Sequence, residues 1–211
     1  MGDEDCTKDS MQLTKGRLEG LSNGIFGFAM TLLVLGLNPL ATTSAIAFGP
    51  EVIQTLLSAV VKWILGFLIL GAFWLDHHTQ YQPIEKIDGV FVWLNLIMLM
   101  FISLLPFTIS FAERFGQPML GRQIFYTNIL AIGLLMSLQW VYATAGNRLV
   151  NPTLKKTYIH KISYSISIIP VVALIALAFS GFWWGGVFFL TLPFLRWGVA
   201  RMSLNWQDAE C

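Results

Sequence analysis

Asp76, His77 and His78 stand consecutively, directly after Trp74-Leu75. A carboxylate beside two imidazoles can bind a metal or pass a proton. Consecutive helical side chains diverge by about 100°, however, and His160 is the only other histidine in the chain, so the spacing argues against a metal site. A proton relay through Asp76, His77 and Lys62 is the alternative chemistry and would suit a proton-coupled or substrate transporter. A membrane enzyme built on Asp76, His77 and His78 lacks convergent partners. The simpler account holds a histidine at the membrane interface by hydrogen bonds, with Trp74 in the aromatic belt. Lys62 then snorkels or pairs with Glu51, three helical turns earlier on the same face.

A second constellation lies near the N-terminus. Projected at about 100° per residue, Arg17, Leu21, Gly24, Phe28, Leu32 and Leu35 fall within about 40° of one line, flanked by Thr31. Ser22 and Asn23 fall off that stripe and face neighbouring helices. Phe and Leu on a membrane helix ordinarily meet lipid or a packed core. Here Arg17, Glu19, Ser22, Asn23 and Thr31 place polar groups around one half of the segment, which suits protein or water and not hydrocarbon. Phosphate loops, a nucleophile elbow and zinc-protease histidine pairs are all missing, so no enzyme is expected.

The elements that position these residues follow from composition. Of 211 residues, 55% are hydrophobic and 12% charged, the latter about half the usual share of about 25%. That excludes disorder and a disulfide scaffold, and favours an all-α integral membrane protein. A net charge of +1 gives no basic patch dense enough for nucleic acid. A bilayer core needs about 20 helical residues per crossing. Six apolar segments meet this, at about 14–37, 52–75, 88–112, 118–143, 160–179 and 182–202. Residues 1–13 form a short acidic tail with no basic leader, and residues 203–211 a second tail. Cys6 and Cys211, one in each tail, read as free thiols. Asn38-Pro39 stops the first segment, and Ser180-Gly181 joins the last two. Pro106, Pro170 and Pro193 lie within helices and are expected to kink rather than end them. If both termini are cytoplasmic, Lys8, Lys15, Arg17, Lys86, Arg148, Lys155, Lys156, Lys161, Arg196 and Arg201 lie inside, against Arg114 and Arg122 outside.

The stretch from Arg17 to Leu35 resembles the first-helix signature of the transmembrane protein 175 family, Arg-x-x-x-Phe-Ser-Asp followed by an apolar run with Thr-Leu-Leu-Val-Leu. Trp74, His77-His78, Asn95-Leu96 and Leu105-Pro106-Phe107 extend the resemblance to about residue 107. It implies a potassium-permeable channel in the cell membrane: single six-helix repeats assembled as a homotetramer, first helices around the axis. No cofactor or metal is implied, and the partners are the bilayer and permeant monovalent cations, potassium above all. Phe28, Leu32 and Leu35 are then expected to form a hydrophobic constriction and Thr31 to confer selectivity. Arg17, Ser22, Asn23, Trp74 and His77 are expected to brace the first helix against the second. Three departures are definite: Leu21 stands for the motif Phe, Asn23 for the motif Asp, and Phe28 where an Ile usually lines the constriction. No Thr-Val-Gly-Tyr-Gly filter and no arginine-repeat voltage sensor occur in the chain.

Overall fold

In a solvent without hydrogen-bonding partners, a crossing segment must pair every backbone group internally, and long apolar runs therefore become helices. The computed structural model describes residues 14–37, 50–114, 118–152 and 156–179. Within them are five helices long and apolar enough to cross a bilayer. These are α1 (Lys15–Leu32), continued by a 3₁₀ turn at Leu33–Leu37, α2 (Pro50–Tyr81), α3 (Gly89–Arg114), α4 (Pro118–Thr144) and α5 (Lys156–Ala178). The expected sixth segment with Pro193, both tails with their cysteines, and the connections at Asn38-Pro39 and Ser180-Gly181 lie outside the described residues.

Local chemistry accounts for several boundaries. α2 and α4 each begin on a proline, which lacks the amide hydrogen that a first helical turn leaves unpaired. Asp88 caps α3, its Oδ1 accepting from the Phe91 amide at 2.9 Å. α4 ends at Gly146 and Asn147, with φ of 65° and 52°, the left-handed conformation these residue types tolerate best. Pro106 and Pro170 both lie inside continuous helices. One boundary differs from expectation. α2 runs on past residue 75 to Tyr81 because its polar end is not a loop: Asp76, His77 and Gln80 are buried within the bundle.

α3 packs along α4, and α4 along α5, while α1 lies against α2 and α3. At Gly133 on α4 an added Cβ would come within 3.0 Å of Ile169 and of Pro170, so the glycine sets how closely α5 approaches. At one end of the bundle the α2–α3 and α4–α5 connections clasp. Ile84 and Val150 form an antiparallel bridge, the Glu85 and Lys86 amides donate to the Leu149 carbonyl at 2.9 and 3.3 Å, and Asn151 Nδ2 donates to Glu85 at 2.6 Å. Tyr142 donates to Asp88 at 2.6 Å, with the Arg148 guanidinium 4.8 Å over its ring.

The surface is apolar where that of a water-soluble domain would be polar, around a core that is also largely apolar but holds several polar side chains. Ser22, Asn95, Asn128 and Gln139 are buried, whereas Leu57, Leu68, Trp93 and Val141 are exposed. Polar groups inside and bulky apolar groups outside are what hydrocarbon selects.

Candidate functional site

α1 presents two faces. Leu18, Ser22, Phe26 and Ala29, three or four residues apart, are buried against the chain's own helices. The opposite arc carries Arg17, Gly20, Gly24, Phe28, Thr31 and Leu35, all exposed. Phe28 is 72% exposed and Leu35 64%, with Leu21 and Leu32 on the flank near 45% and 44%. A Cβ added at Gly16, Gly20, Gly24 or Gly27 would meet no neighbouring side chain or helix within 4 Å, so nothing among the described residues covers this arc. Thr31 donates its hydroxyl proton to the Phe28 carbonyl at 2.8 Å. With that proton committed, the oxygen offers only lone pairs outward.

A chain of polar side chains fixes the buried face. Ser22 Oγ donates to the Leu18 carbonyl at 2.9 Å and accepts from Asn95 Nδ2 at 3.1 Å. Asn95 Oδ1 lies 3.1 Å from His77 Nε2. With the Asn95 amide oriented to donate to Ser22, His77 is the donor at Nε2. His77 also stacks on Tyr81, ring centroids 4.2 Å apart, and lies beside Phe26 of α1. At the edge of the same face Trp74 Nε1 donates to Asn23 Oδ1 at 2.8 Å. Three helices are thus joined, and in the buried Ser22–Asn95–His77 part no water competes, so each hydrogen bond there keeps more of its strength.

Four of the five residues expected to brace α1 meet here: Ser22, Asn23, Trp74 and His77. Arg17 is not among them. It is five residues from Ser22, so it projects about 140° away around the helix. Its exposed side chain makes no hydrogen bond or ion pair to another described residue. Lys15 instead pairs with Glu19 at 3.7 Å and reaches the Gln82 carbonyl at 3.5 Å. Asn95 is the member the grouping lacked, although a lone carboxamide amid the apolar residues of α3 is itself a signal.

The relay residues do not converge. Asp76 and His77 are buried while His78 is exposed and stacked on Trp74 at 5.7 Å, and Lys62 is exposed farther along α2. The suggested pairing of Lys62 with Glu51 lies outside the described side chains. Among the described residues no group of three His, Cys, Asp or Glu could hold a metal ion.

Comparison with known proteins matches residues 17–106 to the family described as endosomal/lysosomal potassium channel TMEM175. A potassium channel of Chryseobacterium sp. (strain P1-3) is 31% identical over 175 residues, covering 79% of this chain and 84% of that protein. The endosomal/lysosomal proton channel TMEM175 of Rattus norvegicus is 28% identical over 153 residues, 72% of this chain but 30% of that protein. The chain thus spans most of the bacterial relative and under a third of the rat one. Among solved structures, a homologue of the lysosomal potassium-selective channel TMEM175 from Chamaesiphon minutus superposes with a TM-score of 0.68 at 22% identity, over 90% of this chain and 97% of that one. The two share a fold.

Proposed function

The chain belongs to the TMEM175 family, and from that membership we propose that it is a potassium-permeable channel in which four copies gather their α1 helices around a central conduction axis. Each copy contributes six membrane-spanning helices with both termini cytoplasmic, in the cell membrane.

The observation that carries this reading is the contrast between the exposed faces of α1 and α2. α2 presents Leu57, Val61, Ile64, Phe67 and Leu68 outward, bulky apolar groups suited to acyl chains, and its exposed polar groups Gln54, Ser58 and Lys62 stand toward its N-terminal half. α1 presents Gly20, Gly24, Gly27, Thr31 and Arg17 together with Phe28 and Leu35, a poor face for lipid. Glycines permit close approach of backbones, and a hydroxyl and a guanidinium call for protein or water.

Around a fourfold axis, Phe28, Leu32 and Leu35 form successive apolar rings. A narrow apolar throat expels water, and a cation stripped of its shell gains nothing there in return, so the closed state is sealed by dewetting. A wider state admits a partly hydrated ion. The Thr31 oxygens, acceptors only, replace part of its water and offer nothing to an anion. Arg17, one end of the stripe and outside the bracing network, sits at the wider mouth, where hydration screens its charge. Ser22, Asn23, Asn95, Trp74 and His77 hold α1 in register without touching the ion.

Single-channel recording of the purified protein under bi-ionic potassium and sodium conditions tests the reading. Potassium-selective unitary currents are expected, and Thr31→Val, which exchanges the acceptor oxygen for a methyl, should move the reversal potential toward zero. Absence of currents overturns the channel; an unmoved potential in the variant removes Thr31 from selectivity.

A further inference from the structure

Away from the exposed face of α1, the interior of the bundle contains carboxamides with unmet hydrogen bonds. Gln139 on α4 is fully buried, and neither its oxygen nor its nitrogen has a hydrogen-bond partner. Gln80 of α2, equally buried, donates from Nε2 to the Met136 carbonyl at 2.9 Å, while its Oε1 is unpaired. That hydrogen bond sets the Gln80 carboxamide against the turn of α4 that carries Gln139, three residues on and on the same side of the helix. Two orphaned oxygens and one orphaned nitrogen therefore belong to side chains on the facing turns of α2 and α4 that this hydrogen bond joins. In an interior closed to solvent, such atoms are retained only where something satisfies them.

We propose that a water molecule is bound between α2 and α4, bridging Gln80 and Gln139. The hydrogen-bond inventory selects water over a cation. A cation accepts lone pairs from both Oε1 atoms but leaves the Gln139 nitrogen with no acceptor. A water donates one hydrogen to Gln80 Oε1, the other to Gln139 Oε1, and accepts from Gln139 Nε2, which is the usual complement of about three bonds for a buried water. A dry, purely apolar contact would need neither glutamine. The location gives the water a mechanical role. Gln80 lies one turn beyond His77 on the helix that grips α1, so the bridge ties that helix to α4 and makes α2 part of the fixed framework. This role does not depend on whether α1 helices assemble around a pore.

Pulsed X-ray radiolytic footprinting with mass spectrometry tests the proposal, because radiolysis forms hydroxyl radical from the bound water itself, which labels side chains that bulk solvent cannot reach. With the protein in detergent, Met136, buried and carrying the carbonyl that accepts from Gln80, should be oxidised severalfold faster than Met98, equally buried in the apolar core. Gln139→Leu should bring the Met136 rate down to that of Met98. Equal rates for Met136 and Met98 in the unaltered protein overturn the proposal, and that comparison decides the matter even if the variant does not fold. Labelling of Met136 that persists undiminished in a folded Gln139→Leu protein also overturns it, since the water would then have other partners.

Discussion

Phe28 concentrates the consequences of the channel reading in one side chain. Its ring is the bulkiest group on the exposed arc of α1, and four of them crowd an axis that narrower side chains would leave open. Phe28→Ala is therefore expected to raise unitary conductance or basal leak severalfold in planar bilayers; an unchanged current places the constriction elsewhere. Asn95 governs a different property, because it both accepts from His77 and donates to Ser22. Asn95→Leu leaves the His77 hydrogen buried without an acceptor, at a cost of about 1–3 kcal/mol for an unsatisfied group. The measurable result is a lowered unfolding temperature in detergent, while Ser103→Ala, whose exposed hydroxyl bonds only to the Met100 carbonyl in its own helix, should leave that temperature nearly unchanged. Ser22, Asn23, Trp74 and His77 were legible in the sequence because each is a polar or amphipathic group set in an apolar run, which must find a partner inside. Arg17 was grouped with them on the resemblance, whereas the helical angle of about 140° from Ser22 sets it on the far side of α1.

Among the helices, two glycines of the same type have opposite surroundings, and their substitution separates subunit packing from assembly. A side chain at Gly133 meets Ile169 and Pro170 at 3.0 Å. Gly133→Val therefore forces α4 and α5 apart, costs about 1–3 kcal/mol as overpacking does, and should lower the unfolding temperature of the protein whatever its oligomeric state. Gly24→Ala meets nothing within 4 Å among the described residues, and alanine is the better helix former by about 1 kcal/mol. It should leave subunit stability equal or slightly higher while altering channel current, because on the channel reading the atoms it touches belong to another copy. Equal currents in both proteins would mean that this arc faces lipid. The existence and order of the helices could be read from apolar length alone. The end of α2 could not, since Asp76, His77 and Gln80 look like a loop until helices from elsewhere in the chain bury them.

For the whole molecule, the decisive feature is a surface that changes character from one helix to the next. Apolar bulk covers the outside over most of the bundle, as a bilayer demands, and composition already announced that surface. It could not announce which exposed face is lined by water or protein, because Phe28 and Leu35 read equally well as lipid contacts until the buried side of α1 is known. Once Leu18, Ser22, Phe26 and Ala29 are seen buried where α1 meets α2 and α3, the remaining arc of glycines, Thr31 and Arg17 has no partner among the described residues that suits it. A face of this kind is satisfied by copies of itself around an axis, and closed rotational symmetry is the usual way such a face is completed. Native mass spectrometry of the detergent-solubilised protein should therefore give a particle of four 23.7 kDa chains. Arg17→Leu should retain the tetramer, since that residue stands at the mouth and outside the bracing network. Phe28→Asp, with four carboxylates forced into one apolar ring, should shift the population toward smaller species. A monomer from the unaltered protein, with currents still present after reconstitution at high dilution, would move the conduction path from the symmetry axis into the single subunit.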